Sequence, residues 1–178
     1  HIGYLDEDII NVLLEIFKRE ESFTISSCSG RITLVDAPLP WMRRNSTVVF
    51  KKHKPVVIDE VISVINKPTL SNLWLITTGP IIHVSTASLR EAHKILLIAR
   101  EAGLKHSGII SMSKKGIVVE LRSGVRLVQL IKVGNNIVIN LNELSRIIDL
   151  SNEALLKGKE RLKLLEKALV RHRENSYH

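Results

Sequence analysis

The sequence predicts an α+β fold: a single domain over residues 1–178, with a mixed, largely antiparallel sheet flanked by helices. Three observations carry this. Strand-like segments come in adjacent pairs between helices rather than in strict alternation with them, which favours antiparallel pairing over parallel crossovers. No G-x-G-x-x-G follows a strand and no G-x-x-x-x-G-K-[ST] occurs, so the doubly wound Rossmann nucleotide-binding fold is not expected. A chain of 178 residues with 44% hydrophobic content can also bury a real core and is too apolar for a disordered one.

The elements follow in order. From residue 6 to about residue 20, Ile9, Ile10, Leu13, Leu14 and Phe17 keep helical spacing, and Asp6 can cap the start. Residues 23–27 are short and polar-tipped and residues 31–36 read as a strand, then Pro38 and Pro40 break the chain into a loop bearing Trp41, Arg43 and Arg44. The β-branched residues 47–51 read as a strand. Asp59 is the expected cap of a short helix containing Val61, Ile62, Val64 and Ile65. Residues 73–77 and 81–86 are strands separated by Thr78-Gly79-Pro80. Ser88 with Glu91 forms a capping box, opening a helix that ends at Gly103. Residues 109–113 and 116–122 form a hairpin turning at Lys114–Lys115, and residues 125–132 and 137–139 another around Gly134-Asn135-Asn136. Asn140 with Glu143 starts a last helix, with a break expected near Ser151 and a basic segment at about 151–172.

Charge points to a polyanionic partner. The net charge is +8, yet residues 1–24 hold six acidic residues against two basic ones, so the rest carries +12. Basic residues gather at Arg43–Arg44, at Lys51, Lys52 and His53, and along the last helix, where Lys159, Lys163 and Lys167 recur on one face. Such a stripe suits a phosphate backbone, and equally a solvated helix face. Aromatic residues are only 4%, so broad stacking on single-stranded RNA is a weak expectation. No apolar run approaches the ~18 residues of a membrane helix, the acidic amino end lacks the basic start and apolar middle expected of a signal peptide, and Cys28 is the single cysteine. A cytoplasmic chain with no membrane contact and no obligate protein partner is expected.

The densest polar segment is Ser26-Ser27-Cys28-Ser29-Gly30-Arg31. Its hydroxyls, a glycine and a guanidinium can surround an anion, although a Ser-rich turn is often only a turn. His83 lies on an apolar strand, where a histidine commonly satisfies one local hydrogen bond. Ser107-Gly108-Ile109 forms a loop entering a strand. The seven histidines have no metal-ligand spacing, so no metal is expected.

Together and in this order, these segments resemble the wybutosine-synthesis methyltransferase family, the third enzyme of the eukaryotic pathway, with archaeal members. The matching stretches are GYLDEDI at 3–9, TISSCSGRI at 24–32, FKKHKP at 50–55, LWLITTGPIIHV at 73–84, LREAHKILLIAREAGLKHSGII at 89–110 and VVELRSGVRL at 118–127, with Asn152 near the end. The family often has an acid before the proline at Pro80, where this chain has Gly79.

The resemblance implies S-adenosylmethionine-dependent methylation of the N4 nitrogen of an aminocarboxypropyl-demethylwyosine beside the tRNA anticodon. The tRNA anticodon loop is then the partner and S-adenosylmethionine the cofactor. Methyl transfer from a sulfonium needs no metal and no enzyme nucleophile, and holding the reacting atoms in line supplies much of the rate. His83 is the candidate base if the ring nitrogen carries a proton. Ser26, Ser27, Cys28, Ser29, Gly30, Arg31, Trp74, Val84, Ser107, Gly108 and Ile109 are the candidate cofactor or substrate residues. Arg43, Arg44, Lys51, Lys52, His53, Lys159, Lys163 and Lys167 are the candidate RNA-binding residues. The alternative reading is a non-catalytic basic RNA-binding module, separated from the enzyme by whether it binds S-adenosylmethionine.

Overall fold

The computed structural model describes residues 6–174; residues 3–5 of the first matching stretch lie outside them. A 3-10 turn at Glu7–Ile9 leads into α1 (Ile10–Phe17), followed by β1 (Ser22–Cys28), β2 (Arg31–Ala37), β3 (Thr47–Lys52), α2 (Ile58–Ile65), β4 (Asn72–Thr78), β5 (Ile81–Thr86), α3 (Leu89–Glu101), β6 (Gly108–Ser113), β7 (Gly116–Arg122), β8 (Arg126–Val133), β9 (Asn136–Ile137) and α4 (Leu141–Glu174). Every described strand pairing is antiparallel. The α+β expectation holds, with the strands divided between two sheets in two compact units.

One unit comprises the residues up to Ser29, Gly79–Gly124 and the chain from Gly158. Its sheet runs β1-β5-β7-β6. Strand alternation puts Ile82 and Val84 of β5 and Ile117, Val119 and Leu121 of β7 on one face. That face packs on Val12, Leu13 and Ile16 of α1, Ala92, Ile95 and Ile98 of α3, and Leu162, Leu165 and Leu169 of α4. The intervening residues, His83 and Glu120 among them, therefore point to the opposite face of the sheet.

The other unit comprises Gly30–Thr78 and Val125–Lys157, with sheet order β3-β2-β4-β8-β9. Ile32, Leu34, Leu73, Leu75 and Ile131 of its sheet pack on Val61, Val64 and Ile65 of α2 and on Leu144, Ile148 and Leu155 of α4.

The helices obey their local signals with informative exceptions. Ser88 caps α3 by accepting the Glu91 N–H at 3.2 Å, and Gly103 (φ +82°) ends that helix in the left-handed conformation that glycine adopts at least cost. Asn140 and Glu143 exchange a reciprocal box at 2.9 and 3.0 Å at the start of α4. The cap expected from Asp59 is supplied instead by Glu60, whose carboxylate accepts the Val57 N–H at 2.9 Å. Asp59 lies two residues past the N-cap Val57 and sits inside the first turn. Asp6 does not cap α1 with its side chain; its carboxylate is drawn to Ser29.

No break interrupts α4 at Ser151. Leu144, Ile148, Ser151, Leu155, Gly158, Leu162, Leu165 and Leu169 recur at alternating intervals of four and three, and every one is buried. Ser151 and Gly158 are the two small residues among these inward positions.

Candidate active site

Two pairs of strands that follow one another at the Ser-rich and Gly-Pro segments, β1–β2 and β4–β5, are divided between the sheets. The chain leaves β1 through Ser29 and Gly30, with Gly30 at φ +102°, and enters β2 of the other sheet. It does the same through Gly79 and Pro80 between β4 and β5. The Ser-rich segment and the segment before His83 both mark such a crossing, and strand β1 pairs with β5 rather than with β2.

That pairing creates the main polar constellation. In the β1–β5 ladder Thr24 faces Val84, then the register shifts, and Ser26 faces His83. The extra residue at this bulge is Ile25. Without the bulge Ile25 would oppose His83, and Ser26 would move to the helix-covered side. With it, Ser26 Oγ lies 2.7 Å from His83 Nδ1. On the other side of β5, His83 faces Glu120 of β7, and His83 Nε2 lies 2.9 Å from Glu120 Oε2. Glu120 in turn faces Gly108 of β6. Ser26, His83, Glu120 and Gly108 thus form one row across all four strands.

The row is partly open. The His83 side chain is 29% exposed and that of Glu120 22%. The hydrogen bond from His83 holds the Glu120 carboxyl below the usual carboxylate range, outweighing a contrary push from burial, with help from Arg122, whose Nη1 lies 3.4 Å from Oε1. Glu120 is therefore an ionised acceptor throughout the neutral range. Chemically, a hydroxyl bonded to an imidazole whose far nitrogen meets a carboxylate can pass a proton.

The remaining motif residues sort by environment. Ser27 and Cys28 end β1, with Cys28 facing Ile81. Ser29 is fully buried; its N–H and hydroxyl donate to Asp6 Oδ2 at 3.1 and 2.8 Å, and its oxygen receives Lys159 Nζ at 3.1 Å. Lys159 also pairs with Asp8, so this lysine turns inward while Lys163 and Lys167 stay exposed. Val84 is 0% exposed in the helix-facing core. Ser107 is buried, donating to the Leu104 carbonyl at 2.6 Å and accepting the Arg122 N–H at 3.0 Å. Ile109 is exposed on β6.

In the other unit, the Gly30 carbonyl accepts His53 Nδ1–H at 2.9 Å. Arg31, exposed, faces Thr78, which faces Arg126 on β8. Lys51 is exposed opposite Thr33, and Lys52 pairs with Glu60 at 2.8 Å. Arg43 and Arg44 are exposed in the loop before β3. Trp74 packs with Val35, Ala37 and Ile76, and its indole N–H donates to the Ala37 carbonyl at 3.0 Å.

Glu120, Arg122 and Arg126 are polar residues that the sequence reading overlooked, and Asp6 enters it only as a helix cap. The alternation in Ile117–Arg122 puts Glu120 and Arg122 on one face, a readable signal. Their partner across the sheet was not readable.

Over residues 1–171 the sequence matches the family described as Methyltransferase TYW3. The chain belongs to that family.

Its curated relatives include a Saccharolobus solfataricus protein, 43% identical over 176 residues, covering 98% of this chain and 84% of the relative. A Pyrococcus horikoshii protein is 37% identical over 164 residues, covering 92% and 84%. Both are named as tRNA(Phe) 7-((3-amino-3-carboxypropyl)-4-demethylwyosine(37)-N(4))-methyltransferases. Among solved structures, a Pyrococcus horikoshii protein matches with a TM-score of 0.88 at 36% identity, covering 94% of this chain and 86% of that one. A hypothetical protein from Aeropyrum pernix matches with a TM-score of 0.84 at 30% identity, covering 92% and 96%. TYW3 family membership makes the chain a methyltransferase. No described helix is long and apolar enough to cross a membrane.

Proposed function

We propose that this chain, acting in the cytoplasm as one tRNA-modifying domain over residues 1–178, methylates N4 of the 7-aminocarboxypropyl-demethylwyosine base at position 37 of tRNA(Phe). The observation that supports this most directly is the Ser26–His83–Glu120 row in a chain with full-length similarity to enzymes named for that reaction. The proposed methyl donor is S-adenosylmethionine, which supplies an electrophilic methyl on a sulfonium and leaves as a neutral thioether.

The donor set of the described residues suits such a group. Arg31 has an exposed guanidinium at a strand end, and its planar fork matches a carboxylate. Arg31 would hold the carboxylate of the amino-acid end, with Ser27, Cys28 and Gly30 next to it in sequence. His83 takes up the proton that the acceptor nitrogen loses. The exposed cations Arg43, Arg44, Lys51, Lys163 and Lys167 would meet phosphates of the anticodon arm, a contribution that weakens as salt rises.

The test is direct. The protein is incubated with labelled S-adenosylmethionine and tRNA(Phe) carrying the aminocarboxypropyl-demethylwyosine base, and the digested nucleosides are examined by mass spectrometry. One added methyl on N4 of that base is the expected result. Binding of tRNA with neither S-adenosylmethionine binding nor transfer would overturn the assignment in favour of an RNA-binding module.

A further inference from the structure

We propose that Glu120 is a positioning residue for His83, and that the proton acceptor works through the Ser26 hydroxyl rather than on substrate directly. The inference rests on the reading of His83 as the base. A carboxylate offers only acceptors, so the 2.9 Å contact with Glu120 requires the hydrogen on His83 Nε2. In a neutral imidazole that leaves Nδ1 bare, and the 2.7 Å contact with Ser26 is then Oγ–H donating to Nδ1. Both ring nitrogens are thereby occupied by protein groups. The outward group of the row is the Ser26 oxygen, on a residue that is exposed.

The proton step balances as follows. The N–H of the acceptor base gives its proton to Ser26 Oγ while the hydrogen of that hydroxyl passes to His83 Nδ1. The nitrogen keeps the electron pair that forms the new bond to carbon. Ser26 ends as a neutral hydroxyl, and His83 ends as an imidazolium with Nε2–H still on the Glu120 carboxylate. Solvent removes the proton afterwards. Glu120 acts twice: it selects the tautomer beforehand and stabilises the cation afterwards. Arg122, on the other carboxylate oxygen at 3.4 Å, keeps Glu120 ionised and aimed.

Nitrogen-15 NMR of histidine-labelled protein reads the tautomer without any turnover. Wild type should have His83 protonated at Nε2, and Glu120→Gln should give a mixture of tautomers, because an amide can accept from or donate to Nε2. The single-turnover methylation rate of Glu120→Gln should fall at least about tenfold, with S-adenosylmethionine and tRNA affinities unchanged and partial recovery in Glu120→Asp. A wild-type His83 protonated at Nδ1, or a Glu120→Gln enzyme with the wild-type rate, would overturn the role of Glu120. Full single-turnover activity in His83→Asn would instead remove the underlying reading of His83 as base, so the two failures are distinguishable.

Discussion

Lys132 buries its ammonium at the end of helix α2, where Nζ donates to the Ile65 carbonyl at 3.0 Å and to the Lys67 carbonyl at 2.8 Å. The residue is only 3% exposed although it sits on strand β8. The last carbonyls of a helix lack partners within it and carry the negative end of its dipole, so a cation there is well placed. Replacing Lys132 by Met keeps the volume and strands both carbonyls. The expected cost is about 2 kcal/mol, read as a lower urea midpoint; an unchanged midpoint would mean that water serves the carbonyls equally well.

Glu91 joins α3 to Arg19 before β1 and to Ser22 at the start of β1. It accepts Arg19 Nε at 2.5 Å, Arg19 Nη2 at 3.1 Å and Ser22 Oγ at 2.8 Å. Burial pushes its carboxyl up, but the bonds from Arg19 and Ser22, with the charges of Arg19 and Lys94, outweigh that and hold it below its ordinary 4.5. A depressed folded value gives stability that is complete above 4.5 and lost as pH falls through the folded value. Glu91→Gln should therefore destabilise the protein by about 2–3 kcal/mol at pH ~7. That gap should close in strong acid, and a gap that persists there would exclude the charge as its source.

His83→Asn separates base from strand anchor. Asn retains hydrogen-bonding capacity but cannot take a proton near neutral pH. The single-turnover rate should drop by ~10²–10⁴ while tRNA affinity and melting temperature stay nearly constant. A destabilised protein with an intact chemical step would make His83 an anchor of the β1–β5–β7 ladder.

Arg31→Lys preserves charge and removes the planar fork. If Arg31 holds an anionic group of cofactor or substrate, calorimetry should record affinity weaker by ~1–3 kcal/mol for that ligand. Unchanged affinity for both S-adenosylmethionine and tRNA would take Arg31 out of the binding machinery.

What the sequence determined by itself was local. The alternation in residues 81–86 and 117–122 fixes which side chains face the core. The Ser88 and Asn140 caps mark two helix starts within a turn. The order of motifs from Thr24 to Leu127 identified the family that residues 1–171 match. Alternation and caps act between residues a few positions apart, and motif order is linear, so the chain carries all three without knowing its fold. The tertiary structure decided the rest. Pairing β1 with β5 and β5 with β7 joined Ser26, His83 and Glu120, which lie 57 and 37 residues apart. A single extra residue at Ile25 chose the face on which Ser26 stands. Asp6 was read as a helix cap and went to Ser29, 23 residues on, where a buried N–H and hydroxyl needed an acceptor more than the exposed start of a helix did. Sheet partnership and register depend on the free energy of burying whole faces together, a quantity that no segment of the sequence holds alone.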